Sequence, residues 1–126
     1  MATLKEILQG LASQLSGTQG AVVVGSDGLA LAEYSAAPSF KGEAVAAQLV
    51  MLAKLAERTA GQLGAGKAED TQITTDRNYI LVRPLGNTAF ALGVLVDKSE
   101  GTLGMVRLVT GNHEAPLLEA LPKRGK

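Results

Sequence analysis

Cysteine is absent from the 126-residue chain, and with it go disulfides, thiolate metal sites and cysteine nucleophiles. Tryptophan is absent too, and two Tyr and two Phe are too few to offer nucleic-acid bases a stacking platform. Charge of one sign is also missing. Twelve Lys and Arg balance twelve Asp and Glu, and only the terminal Lys123-Arg124-Gly125-Lys126 gathers one sign. A formal net charge of zero leaves no electrostatic footprint for nucleic acid or an anionic membrane. No run approaches 18 uninterrupted apolar residues, and no basic stretch followed by an apolar segment opens the sequence. Neither a membrane span nor a signal peptide is therefore expected. The single histidine, His113, would need carboxylates alone to complete a metal site. These absences point to one cytoplasmic domain, 1–126, working without cofactor or metal. Its length suffices to bury roughly two-thirds of its unfolded surface.

What is present is strongly patterned. Leu4, Ile7, Leu8, Leu11 and Leu15 recur at helical spacing, with Thr3 and Glu6 placed as a capping box and Gly17 as a stop. Ala21–Gly25 reads as a strand buried on both faces, and Leu29–Tyr34 as a thinner, peripheral one. Between them, Ser26-Asp27-Gly28 is a hairpin signal, because glycine tolerates the positive φ of a tight turn. Phe40–Leu63 is a long helical pattern ending in the Gly61, Gly64, Gly66 cluster. Thr71–Thr75 has the profile of an edge strand. Tyr79–Arg83 ends at Pro84, and Ala89–Val96 is the longest apolar run, with Gly93 marking a bulge or a close packing contact. In the tail, Leu103, Val106 and Val109 or Thr110 can line one helix face, with a break near Gly111 and a short helical stretch over Pro116–Leu121. Residues 119–126 are expected as a flexible tail.

The order α-β-β-α-β-β-β-α describes an α+β domain. Connectivity and burial predict a five-stranded antiparallel sheet of order 2-1-5-4-3. One long helix covers one face, and the N- and C-terminal helices cover the other.

Several constellations with chemical meaning fail on context. Gly61–Ala68 (GQLGAGKA) satisfies the G-x-x-x-x-G-K part of a phosphate-binding loop. That loop needs a strand before it and a helix after it, the reverse of this order, and Ala68 stands where a Mg²⁺-binding hydroxyl belongs. A glycine-rich helix end accounts for the residues. Ser26-Asp27 lacks a histidine for a nucleophile, Glu69-Asp70 reads as a solvated pair, and Glu114 beside His113 would point elsewhere. No catalytic, cofactor or metal residue is expected.

The long helix carries the candidate surface. On a wheel, Val45, Leu49, Leu52, Ala56 and Leu63 form the stripe expected to pack on the sheet. Glu43, Lys54, Glu57 and Arg58 face away, and Val50 falls in that charged sector, with Ala46, Ala47 and Ala53 near it and Met51 at its margin. Small side chains there would let a second helix approach closely. A lone surface valine beside helix-favouring alanines accounts for the pattern equally well.

The order of elements, with Gly20-Ala21-x3-Gly25-Ser26-Asp27-Gly28-Leu29, resembles the Roadblock/dynein light chain family. Thr75-Asp76-Arg77-Asn78-Tyr79-Ile80 adds to the likeness. Thr102-Leu103-Gly104-Met105-Val106-Arg107 resembles the start of the third helix in bacterial mutual-gliding B proteins. The likeness spans about Leu4 to Leu121 and departs at Gly111 and Pro116, where the family runs one continuous helix. It implies a homodimer in which second helices pack together and third strands pair. On that basis Ala46, Ala47, Val50, Met51, Ala53, Thr71, Ile73 and Thr75 are candidate dimer residues. It also implies a platform for a Ras-like small GTPase, with Lys54, Glu57 and Arg58 facing that partner. An exposed Arg58 could reach into the GTPase site as an arginine finger, but an ordinary solvated or salt-bridged arginine beside Lys54 and Glu57 is the favoured reading. The alternative is a small-molecule sensor or assembly subunit built on a related sandwich, against which stand the few polar groups that could orient a ligand.

Overall fold

The computed structural model describes residues 2–122; the basic run Lys123–Lys126 lies outside the described residues. The elements in order are α1 (Leu4–Gln14), β1 (Thr18–Gly25), β2 (Ala30–Ser35), α2 (Gly42–Gln62), β3 (Thr71–Thr74), β4 (Asn78–Pro84), β5 (Phe90–Asp97), α3 (Leu103–Asn112) and α4 (Glu114–Ala120). The five strands form one antiparallel sheet in the order β2-β1-β5-β4-β3, as expected.

Local sequence explains the joints. The Thr3 hydroxyl accepts from Glu6 N–H at 3.2 Å while Glu6 Oε1 accepts from Thr3 N–H at 2.9 Å, so the capping box satisfies two orphan donors of α1. At the first hairpin only Gly28 has a positive φ, of 85°, and Asp27 Oδ1 accepts from Leu29 N–H at 3.1 Å. The turn is therefore a three-residue loop rather than one needing two left-handed residues, and its register shift falls between Val23 and Val24. Gly93 marks close packing: a Cβ there would lie 2.8 Å from Leu49 Cδ1 of α2.

Alternation along β1 divides the core in two. Ala21 and Val23 join Leu8, Leu11, Leu81 and Leu92 beneath α1, α3 and α4. Val22 and Val24 join Ala46, Val50, Val82 and Ala91 beneath α2. The layering therefore matches the expectation. Most boundaries move by one or two residues. β1 begins three residues earlier, at Thr18, and the helical break falls at His113. Pro116 sits in the first turn of α4, where its missing N–H removes no helical bond. Residues 119 and 120 belong to α4 and Leu121 is buried, so this part of the expected tail is integral to the fold.

Candidate partner-binding surface

The α2 helix does not sit on the sheet as the wheel predicts. Its buried residues are Gly42, Ala46 and Val50, with Leu49, Leu52 and Ala53 partly covered. Val50 is only 8% exposed, and Ala46 is fully buried. Both pack within their own chain, so neither is presented to a partner. Leu63, expected in the sheet-facing stripe, is 76% exposed. The correction has one physical cause. The helix lies close to the sheet, as Gly93 shows against Leu49, and a Cβ on Gly42 would lie 2.9 Å from Val22 Cγ2. Close approach selects small residues for the contact stripe, whereas a hydrophobicity wheel is weighted towards the large ones.

The rotation turns a different set outward. Met51 is 67% exposed and Leu55 57%, four residues apart on one ridge of the helix. Ala47 is exposed on the first-hairpin side, where its Cβ lies 3.4 Å from the position a Cβ on Gly28 would take, and Ala53 is partly covered on the sheet side. Leu55 escaped the sequence reading. The signal was present in the spacing of Gly42, Ala46, Leu49, Val50 and Ala53, an i, i+4, i+7, i+8, i+11 stripe of mostly small residues.

Beside α2 lies the sheet edge. Among the described residues β3 pairs only with β4, leaving its other side open. Ile73 is exposed and stands opposite Ile80, on the face that carries Val82 and α2. Thr71 is half-buried, and Thr75, just past the strand, accepts from the N–H groups of Arg77 and Asn78 to shape the next turn. Met51, Leu55 and Ile73 thus lie on one side of the molecule.

The three charged candidates separate. Lys54 and Glu57 line an open groove of about 1120 Å³ between α2, the 65–69 connection and the β4–β5 hairpin. Its floor is apolar, from Val24, Val50, Ala53 and Phe90. Lys54 Nζ reaches the Ser26 carbonyl at 3.5 Å. Arg58 does not line the groove; it is exposed on the next turn, beside the Met51–Leu55 ridge.

The glycine-rich segment behaves as a helix end. Gly64 and Gly66 take φ of 64° and 92°, and Ala65 N–H closes onto the Ala60 carbonyl at 2.8 Å. Lys67 crosses to the Asn87 side chain. His113 joins α3 to α4, its Nδ1 2.8 Å from the Val109 carbonyl oxygen. Of the acidic residues weighed, Asp70 departs from expectation, while Glu114 points away from His113 as expected. The Asp70 carboxylate is 8% exposed and lies 3.1 Å from Arg107 Nε and 3.9 Å from Arg83 Nη1. Glu114 accepts from Arg83 Nε at 3.2 Å and from Gly86 N–H at 3.0 Å. Among the described residues no group of three metal-ligating side chains converges, and no helix is long and apolar enough to cross a membrane.

The Roadblock/LC7 domain family model matches residues 4–95, about three-quarters of the chain. The chain belongs to this family. Among solved structures it resembles a Roadblock/LC7 domain from Streptomyces avermitilis at 21% identity, covering 94% of each chain with a TM-score of 0.75. It resembles MglB from Myxococcus xanthus at 14% identity, covering 98% of this chain and 92% of that one, with a TM-score of 0.82. The gliding protein MglB from Thermus thermophilus matches at 20% identity over 93% of this chain and 87% of that one, with a TM-score of 0.80. At these identities the likeness establishes the fold. No curated protein matches the chain.

Proposed function

We propose that this Roadblock/LC7 domain is a homodimeric, non-catalytic scaffold that binds and regulates a Ras-like small GTPase in the cytoplasm. The observation that carries the reading is the Met51–Leu55 ridge, apolar and exposed on the same side as Ile73 and the open edge of β3. Two copies related by a two-fold axis would cover both features at once, since an isologous contact repeats the same patch on each subunit. The dimer set is then Ala47, Met51 and Leu55 on the helix, with Thr71, Ile73 and Thr75 at the edge. The fold shared with MglB gliding proteins supports a regulatory role.

Lys54, Glu57 and Arg58 flank that ridge and supply the charged rim of a platform for the GTPase. Rim charges set association rate and salt sensitivity more than residence time. Charge reversal at Lys54 or Glu57 should slow association several-fold while the dimer stays intact. The direct test is capture of small GTPases from the same organism, loaded with GDP or a GTP analogue, on immobilised protein. Nucleotide-dependent retention is expected. Absence of binding to every small GTPase in both nucleotide states would overturn the reading.

A further inference from the structure

The approach to the edge strand is poorly tied by its own backbone. Among the described residues, the connection after α2 makes its last turn-type backbone hydrogen bond at Ala65, and none anchors residues 66–70. Two glycines with positive φ precede that stretch, and Lys67 holds it only through the Asn87 side chain. β3 itself is four residues long. Ahead of the ladder to β4, which begins at Thr71, the side chain that ties the connection down is Asp70. Its nearly buried carboxylate takes Arg107 of α3 and Arg83 of β4, and its Oδ1 accepts from Gln72 Nε2 at 3.3 Å. Arg83 in turn holds Glu114 of α4, which also receives the Gly86 N–H. Four charges from four separate segments form one chain of contacts, and Arg107 and Glu114 both lie beyond the residues matched to the family.

We propose that Asp70, Arg83, Arg107 and Glu114 act as an electrostatic clamp through which the C-terminal helices hold the edge strand in place. Closed, the clamp docks the 66–70 connection and fixes where β3 presents its open edge. Released, the connection swings on Gly64 and Gly66 and the edge is no longer held at a set position. Arg83 and Glu114 also line the groove, so a ligand group that engages either competes with the clamp and loosens the strand. The inference concerns the chain alone and does not depend on which partner it binds.

Limited trypsin cleavage of the full chain reads the clamp directly. Cleavage after Lys67 reports opening of the connection, while cleavage after the exposed Arg77, at the far end of β3, serves as an internal reference. Arg107→Ala removes a charge-assisted bond from an exposed helix position and should raise the Lys67 rate roughly tenfold with the Arg77 rate unchanged. Asp70→Asn leaves two arginines without their shared counter-charge and should raise it further. Arg107→Lys, which keeps the charge, should recover most of the wild-type rate. No change at Lys67 in either of the first two variants would overturn the proposal. So would equal acceleration at both sites, which indicates general destabilisation, or a lysine variant no better than alanine.

Discussion

Val50 and Leu55 lie five residues apart on one helix and should respond to the same substitution in opposite ways. Val50 packs with Val22, Val24 and Val82, so Val50→Glu places an unpaired carboxylate in an apolar cluster. That should cost on the order of 3 kcal/mol or more of stability, read as a lowered urea midpoint. Leu55→Glu leaves the charge in solvent within a single copy, so the folding stability of a dissociated chain should barely change. Lys67 gives a third contrast. It meets the side chain of Asn87 at the surface, and Lys67→Ala should shift stability by no more than about 0.5 kcal/mol. Isothermal titration should find no ATP or GTP binding to either form; nucleotide binding lost on this substitution would restore the phosphate-loop reading of GQLGAGKA. Arg58→Ala separates two modes of action on a GTPase. A platform residue should lose about 1 kcal/mol of affinity or less, whereas an arginine finger would lose roughly a thousand-fold or more of hydrolysis with binding preserved. The exposed position beside the ridge favours the first outcome in single-turnover assays.

At the scale of elements, the seating of α2 depends on glycines in the sheet and at the helix start. A Cβ on Gly20 would collide with the Phe40 ring, which rests directly against bare backbone just before the helix begins. Gly20→Ala should displace the ring and cost about 1–3 kcal/mol, and Phe40→Ala in the same chain should make that cost largely disappear. A double-mutant cycle by thermal unfolding measures the coupling; strictly additive losses would contradict it. Elements are also the most legible level of the sequence. The capping box, the Asp27-Gly28 turn and the long apolar run in β5 each leave a local signal within a few residues. Sheet order follows from which strands read as buried on both faces. The rotation of α2 leaves only the stripe of mostly small residues as its signal, because close backbone approach rewards small residues while periodicity arguments weight large ones. Asp70 departs from its expected solvated state for a different reason. Its partner Arg107 is 37 residues away, and no spacing rule connects a residue before a strand to one on a later helix.

At the scale of the whole molecule, the features divide between two sides of the sheet. α1, α3 and α4 close one face over the larger core, and the C-terminal pair reaches round to the strand edge through Asp70. α2 covers the other face and leaves Met51 and Leu55 outside, an arrangement costly for a solitary chain and useful for an interface. The candidate surface is therefore assembled by tertiary structure from α2, β3 and the groove between them. Of its candidate members, Met51, Ile73 and the three charges are named by the sequence reading, Leu55 emerges only once the small-residue stripe is taken as the contact face, and the groove has no local signal. Dimerisation in this form requires the Met51–Leu55 ridge to be a contact between copies. Light scattering at micromolar concentration, on the wild-type chain and on Leu55→Glu, tests this most directly. Wild type should give about twice 13.0 kDa, and Leu55→Glu, with two carboxylates facing each other across the axis, a folded monomer. A wild-type chain that stays monomeric at high concentration, or a Leu55→Glu dimer as tight as wild type, would contradict it.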